Sequence, residues 1–541
     1  MQNFIEKHPY LTIFIAWLCI FVFHLEVLPP NIMEARNFIT AREMLTDGNW
    51  LLTTMDGFPR YEKPPLPTWL VALSGSIFGL DSIAALRFPS ALITLVLMFV
   101  LFKLSRKLTQ NLKYALLATL ILGTSYFVIF AGRNGTWDIF AHSFMLYGIY
   151  SLFKFFEKEN SSYKFALLAG LFIGLSFMSK GPVSHYALLL PFLIAYGIVY
   201  KFKGFKKKWM PLLLMFILIS LLSSWWAYYI YLNDITDATR IAEKESGRWL
   251  NYEVKPFYYY WSFFTQSGLW TIPAFVALLY PYLKTRVVSP KAYRFVFLWT
   301  IAAVVLLSLI PTKKSRYLLP VLIPLALTVG FYIEYLFRAF KTEISKWEKL
   351  PVYFHYGLIA TIGVVFPIGA YFYFGEKLEG YYLYYILSSI VLFGTGVFIW
   401  VQLLKRNFPA VFYGTITFIM FVVSTGFPLA NALISNPTYN SISKLNASSM
   451  PIYFLSGQSP ELVWDYGKKT KRITQDQLLS LDYKSSFGVL TYHTDSKDEL
   501  SFLNDDYIVT FKETFDLNIV ASPKRGHKKR LKTDYYILRK R

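Results

Sequence analysis

The chain has 541 residues, of which 55% are hydrophobic and 19% aromatic, with a formal net charge of +22 and a mean hydropathy of +0.39. Apolar runs of about 20 residues recur along most of it, so it reads as an integral membrane protein whose basic residues belong to loops and lipid phosphates, not to nucleic acid. Its one cysteine, Cys19, lies inside an apolar run, which excludes an internal disulfide and a cysteine-based metal site.

The first apolar segment, Leu11 to Leu28, is long and has no small-residue cleavage pattern, so it is read as a span and not a removable signal. The loop from Asn31 to Trp69 then carries Glu34, Arg36, Arg42, Glu43, Asp47, Asp56, Arg60, Glu62 and Lys63. Charges in that number cannot lie in hydrocarbon. Phe38, Ile39, Met44 and Leu45 recur at helical spacing and predict a short amphipathic helix at the membrane interface. Pro64 and Pro65 stiffen the end of the loop, and the apolar stretch from Pro65 to Leu80, too short to span, reads as a second interfacial helix. Charges of both signs on a stiffened loop suit a site that handles a phosphate and a hydroxyl group.

Apolar patterning predicts about thirteen spans, near 10–29, 82–104, 114–131, 137–156, 164–179, 185–201, 210–231, 267–283, 293–310, 317–337, 352–374, 381–403 and 409–431. Basic residues gather in alternate loops, among them Lys103/Arg106/Lys107/Lys113, Lys154/Lys158/Lys164, Lys284/Arg286/Lys291/Arg294 and Lys405/Arg406. The positive-inside rule makes that side cytoplasmic. The Glu34 loop, Arg133–Asp138, Lys180–His185, Asn233–Ser267, Pro311–Arg316 and the C-terminal tail then face outward, and those longer or more charged loops are where chemistry is expected.

From about Asn440 the composition becomes that of a soluble domain. PIYFL, FGVLTY, YIVTF and YYILRK are strand-like, and SPELVWDYG and QDQLLS are helix-like. The expected organisation is an all-α polytopic membrane domain, 1–435, followed by a small α/β domain, 436–541. The basic run Lys524 to Lys532 reads first as a solvated face and second as a contact for anionic headgroups. No phosphate-loop GxxxxGK[ST], dinucleotide GxGxxG or zinc HExxH motif is present, which argues against an ATP-driven pump and a zinc protease.

A series of short motifs, MEARNFITAREMLTDGNWL, RYEKPPLPTW, LRFPSAL, NGTWDIF, MSKGPV, KPFYYY and KKSRYLLPVLIPLAL, resembles the polyprenyl-phosphate-sugar glycosyltransferases of the GT-C class. The resemblance is to the branch containing the lipid A aminoarabinose transferase and the protein O-mannosyltransferases, and it covers about the first 430 residues. It implies a GT-C fold and transfer of a sugar from polyprenyl (undecaprenyl) phosphate to an acceptor hydroxyl or phosphate at the periplasmic face of a bacterial inner membrane. The acceptor would be lipid A, another glycan or a protein, with membrane lipids as surroundings. A carboxylate would take the acceptor proton and fixed cations would hold the leaving phosphate.

Carried onto this chain, the resemblance makes Glu34 the leading base, in Met33-Glu34-Ala35-Arg36 where the family usually has Asp-Glu-x-Arg. The rival reading of Glu34 is an acid placed at a helix N-terminus for the macrodipole. Asp138 matches a second acidic position. Arg36, Lys63, Lys180, Arg248, Lys314, Arg316 and Tyr317 would contact the donor phosphate. Glu62 and Glu245 fall where a divalent ion could bind, but no His stands beside Glu245, so a divalent metal ion is an option that the pattern does not imply. The alternative of another class is a lipid-linked glycan flippase or transporter, which would more often place charges near the bilayer midplane.

Overall fold

The computed structural model describes residues 2–541 except 159–161, 203, 252, 342–343, 435, 449, 456, 481–485, 494–499, 501 and 504–505. Two compact units emerge, one formed by Met1–Leu25, Tyr61–Val71 and Arg87–Pro428, the other by Glu26–Arg60, Ala72–Leu86 and Leu429–Arg541.

The first unit is helical because backbone in lipid must satisfy its own hydrogen bonds. Among the described residues nine helices are long and apolar enough to cross a membrane, or ten if the bent pair Leu112–Gly123 and Tyr126–Gly132 is one span. Three shorter apolar helices, Pro9–Val22, Leu66–Phe78 and His185–Val199, accompany them. The chain is a multi-pass membrane protein. The 67° bend has a local cause. Thr124 Oγ1 donates to Leu120 O at 2.6 Å and Ser125 Oγ to Ile121 O at 2.7 Å, a back-bonding pair that bends helices. Trp270 Nε1 then donates to Thr124 Oγ1 at 2.9 Å and fixes the corner.

The span expected at 267–283 is broken instead. A 3-10 segment, Phe263–Trp270, holds Gly268 at φ 62°, and the short helices Thr271–Ala277 and Tyr280–Leu283 follow. Pro273 and Pro281 lack the N–H that would carry one helix through. A Cβ on Gly268 would sit 2.6 Å from Tyr126 Cβ, so the turn is also packed too closely for a side chain. Elsewhere small residues let helices touch. A Cβ on Gly363 would lie 2.6 Å from Leu392 O, and one on Gly396 would lie 2.7 Å from Ala360 O, so Lys346–Phe374 and Tyr382–Leu404 cross backbone to backbone.

In the second unit the expected helix of the first loop forms as Ile32–Thr46, with a capping box at Asn31. It does not present one apolar stripe to an interface. Glu34, Asn37, Arg42 and Glu43 are buried along with Phe38, Ile39 and Met44. Phe38 meets Trp464 edge-on at 5.3 Å, and the Arg42 guanidinium lies 5.5 Å from the Trp464 ring centroid, so the Pro460–Tyr466 helix covers the side expected to be wet. A hairpin of β1 (Thr54–Met55) and β2 (Phe58–Pro59) follows, and its Asp56-Gly57 turn has both residues at positive φ, as a two-residue turn of this kind needs.

The C-terminal residues form a mixed sheet from β3 (Ile452–Phe454), β4 (Lys471–Arg472), β5 (Phe487–Tyr492), β6 (Tyr507–Asp516) and β7 (Lys532–Lys540), in the order β4-β3-β5-β7-β6. The four strands expected from sequence are present, and β4, only two residues long, is added parallel to β3. Alternation splits the core: Phe487 and Val489 pack on one face with Leu478 and Leu538, while Leu490 packs on the other with Phe454 and Leu462.

The loop charges tie this unit together. Glu43 accepts from Asp56 N at 2.6 Å and from Thr54 Oγ1 at 2.5 Å, and Asp56 in turn accepts from Thr470 N at 2.7 Å and Arg472 Nη2 at 2.6 Å. Asp56 is buried, so Asp56→Asn, which tolerates the turn's positive φ but removes the charge, leaves Arg472 without its partner. We expect a loss of about 1.5–3 kcal/mol in stability, the range of a hydrogen bond to a charged group, since Arg472 is partly exposed and keeps its contact with the Phe58 ring. Thermal unfolding of the purified chain measures it, and an unchanged midpoint would show the ion pair to be dispensable.

Candidate active site

Within the first unit, Asp138 opens the helix Asp138–Glu157 and Lys180 closes the helix Tyr163–Lys180. The two helices pack as an antiparallel pair, which sets the start of one beside the end of the other. Each charge also suits its helix end, the acid at the positive N-terminus and the base at the negative C-terminus. Lys180 Nζ donates to Asp138 Oδ1. One turn on, His142 Nδ1 shares a 2.8 Å hydrogen bond with Ser184 Oγ.

The Lys180 ammonium lies 5.5 Å from the Tyr317 ring centroid, and the Arg316 guanidinium lies 5.8 Å from the same ring. Arg316 and Lys63 both act on the Lys180 charge, and Asp138 and Glu245 both act on Tyr317. Lys63, Asp138, Lys180, Glu245, Arg316 and Tyr317 therefore form one neighbourhood drawn from five separate stretches of chain. Among the described residues, Arg316 Nε is buried with no hydrogen-bond partner. A buried guanidinium donor left unmatched by protein is suited to an anionic ligand.

The Glu62-Lys63 and Lys244-Glu245 pairs oppose each other. Lys63 Nζ is 3.1 Å from Glu245 Oε2, and Lys244 Nζ is 4.0 Å from Glu62 Oε1. Each carboxylate thus faces an ammonium, and among the described residues no group of three or more His, Cys, Asp or Glu side chains gathers where a metal ion could be held. The two expected metal positions do not fit a divalent cation, which needs several oxygens turned to one point. Nearby, Tyr61 donates to Asp234 Oδ2 at 2.8 Å; burial first, and then the carboxylate, push its phenol above the ordinary range.

The other expected site residues are placed as follows. Lys314 Nζ pairs with Glu253 Oε1 at 3.2 Å, while its backbone N–H donates to the Tyr260 hydroxyl at 2.9 Å. Arg248 is on the helix Ile235–Asn251, but its side chain lies outside the described residues. Glu34 and Arg36 belong to the second unit. Glu34 Oε2 accepts from Asn31 N at 3.1 Å and from Asn31 Nδ2 at 2.7 Å, closing the capping box, and Arg36 Nε is buried without a hydrogen-bond partner among the described residues. Sequence reasoning did not find the Glu62–Lys244 and Lys63–Glu245 crossing, the Tyr61–Asp234 bond or the His142–Ser184 bond. The only local signal was the two oppositely ordered acid-base dipeptides.

Residues 62–228 match the family described as dolichyl-phosphate-mannose-protein mannosyltransferase. The chain is 25% identical over 58% of its length to an undecaprenyl phosphate-alpha-4-amino-4-deoxy-L-arabinose arabinosyl transferase of Serratia proteamaculans, and that alignment spans 57% of the relative. A Yersinia enterocolitica protein of the same description is 23% identical over 92% of this chain and 89% of its own. The crystal structure of ArnT from Cupriavidus metallidurans bound to undecaprenyl phosphate superposes with a TM-score of 0.69 at 15% identity, covering 98% of this chain and 97% of that one.

The fold is the GT-C fold. With its spans and these relatives, the chain is a multi-pass protein of the bacterial inner membrane resembling the GT-C glycosyltransferases of the aminoarabinose and O-mannosyl transferase branch. In this GT-C chain the matched segment 62–228 includes Lys63, Asp138 and Lys180, whereas Glu245, Arg316 and Tyr317 lie beyond it.

Proposed function

We propose that the chain is a glycosyltransferase that moves a sugar from a polyprenyl-phosphate donor, undecaprenyl phosphate in a bacterium, to a hydroxyl or phosphate of lipid A or another glycan. The observation that carries this reading is the placement of Lys180, hydrogen-bonded to Asp138, beside Tyr317 and Arg316, with the Lys63 charge felt at Lys180. In the reaction the bond from the anomeric carbon to the phosphate oxygen breaks as the acceptor oxygen attacks. Charge develops on the departing phosphate, and cations already fixed in place stabilise it without reorganising. Arg316 can donate two in-plane hydrogen bonds to phosphate oxygens, Lys63 and Lys180 supply point charges, and the Tyr317 hydroxyl can donate one more.

The charges sit at helix ends and not midspan, which supports chemistry at a face of the membrane over transport through it. Because basic residues crowd the loops at the other ends of the same helices, the positive-inside rule supports a periplasmic site. The test is a transfer assay: purified protein in detergent with undecaprenyl-phosphate aminoarabinose and lipid A should release undecaprenyl phosphate. The same donor should accumulate in cells lacking the gene. No release with any lipid-linked sugar would reject the reading.

Glu34 is proposed as the base on the resemblance, and its capping box makes the test clean. Gln is also accepted at that position of a capping box, so Glu34→Gln keeps the helix start while removing the charge. Turnover is expected to fall by a factor on the order of 10² or more. Near-normal transfer by the folded variant would limit Glu34 to capping and leave Asp138 as the acid of interest.

A further inference from the structure

The helices that carry Asp138 and Lys180 hold a second basic cluster at their opposite ends. There Ile83–Thr109, Asp138–Glu157 and Tyr163–Lys180 line a cavity of 620 Å³ whose wall includes Lys103, Arg106, Lys107, Lys154 and Lys164. Lys154 follows Asp138, and Lys164 precedes Lys180, by the same interval, about 24 Å along a helix at 1.5 Å per residue. The cavity is therefore separate from the proposed donor site.

No carboxylate belongs to its wall among the described residues. Glu157 pairs with Lys107 at 2.8 Å, and the Lys154 ammonium lies 4.7 Å from the Tyr150 ring centroid and 5.1 Å from that of Phe165. Among the described residues, one acid and two aromatic faces do not balance five cations around one space. Like charges held this close repel unless an anion enters.

Tyr147, Phe165 and Leu168 belong to the cavity wall, and an aromatic strip continues from them along the two helices. Moving toward the middle of the bundle, Tyr147 stacks on Phe172 at 3.9 Å between centroids, and Phe144 lies 6.2 Å from the same ring, with Leu168 between Lys164 and Phe172 on its helix. Cations at the helix ends above an aromatic and aliphatic strip match an amphiphile, with phosphate at the rim and a chain running down the strip. A free phosphate would use only the rim.

We infer that this cavity binds the phosphodiester headgroup of an anionic phospholipid, with one acyl chain along the Tyr147–Phe172 strip. By the positive-inside orientation the lipid comes from the inner leaflet, where basic pockets between spans take such headgroups. The inference does not depend on the transfer activity. It gives the lysines and arginine that orient the helices a second use, as a seat that holds the lower ends of the Asp138 and Lys180 helices together.

The test uses the purified full chain in detergent, titrated with phosphatidylglycerol, cardiolipin, phosphatidylcholine or inorganic phosphate, read by native mass spectrometry and thermal unfolding. The two anionic lipids should give retained adducts and a higher melting temperature, with affinity falling as salt is raised. Lys103→Gln/Arg106→Gln/Lys164→Gln should weaken anionic-lipid binding about tenfold or more, as expected for lost charged contacts. Lys103→Arg/Arg106→Lys/Lys164→Arg should retain it. Equal binding of phosphatidylcholine, equal stabilisation by inorganic phosphate, or undiminished binding by a folded Gln variant would overturn the inference. Should the Gln variant fail to fold, a wild-type affinity insensitive to salt overturns it instead.

Discussion

Lys180→Met is expected to lose about 3–5 kcal/mol of stability, and Asp138→Asn/Lys180→Met to recover much of that loss without recovering transfer. Lys180 is the direct partner of Asp138, and both sit at the mouth of apolar helices where little water can solvate a lone charge. Removing one leaves the other buried and uncompensated. Removing both charges together abolishes that penalty, since a buried pair contributes little against a neutral replacement. Activity behaves differently if the pair belongs to the reaction. Lys180 is one of the cations that the donor phosphate would meet, so the double variant should fold and still turn over poorly. Thermal midpoints in detergent and single-turnover transfer of both variants separate the two effects. A double variant that regains stability and near-normal transfer would make the pair purely structural.

Arg316→Ala is expected to weaken binding of undecaprenyl phosphate by about 1.5–3 kcal/mol, roughly 10- to 150-fold, and to do so more than Lys63→Ala. The difference follows from what each side chain already touches. Lys63 is paired with Glu245 at 3.1 Å, so part of its charge is already spent within the protein. Arg316 stands over Tyr317 with its Nε buried and unmatched among the described residues, so a phosphate would be the group that satisfies it. Lipid binding by the purified variants, measured by titration in detergent, gives the two affinities directly. Unchanged affinity in a folded Arg316→Ala protein would move the phosphate away from this cluster.

The membrane-spanning helices and the C-terminal strands were legible because each is dictated locally. An apolar run in lipid has to close its own backbone hydrogen bonds, and the alternation in FGVLTY and YYILRK fixes which side chains share a face. The same local rules misread 267–283, where hydropathy indicates a span but Gly268, Pro273 and Pro281 break the backbone. They also gave the helix Ile32–Thr46 a wet face, which no periodicity could correct, because its cover arrives from Trp464 more than four hundred residues later.

The charges of the first loop show the same division. In the sequence, Glu34, Glu43, Asp56, Glu62 and Lys63 are equivalent members of one polar stretch. In the structure Glu43 holds a hairpin turn, Asp56 receives Arg472, Glu34 closes a capping box, and Glu62 and Lys63 pair with Lys244 and Glu245. What the sequence alone determined was the class of protein, the helices and the stock of acids and bases near their ends. Which acid meets which base was decided only by tertiary structure. A hydrogen bond or ion pair needs its two groups within a few ångströms, and that distance depends on how helices far apart in the chain are offset against each other when they pack.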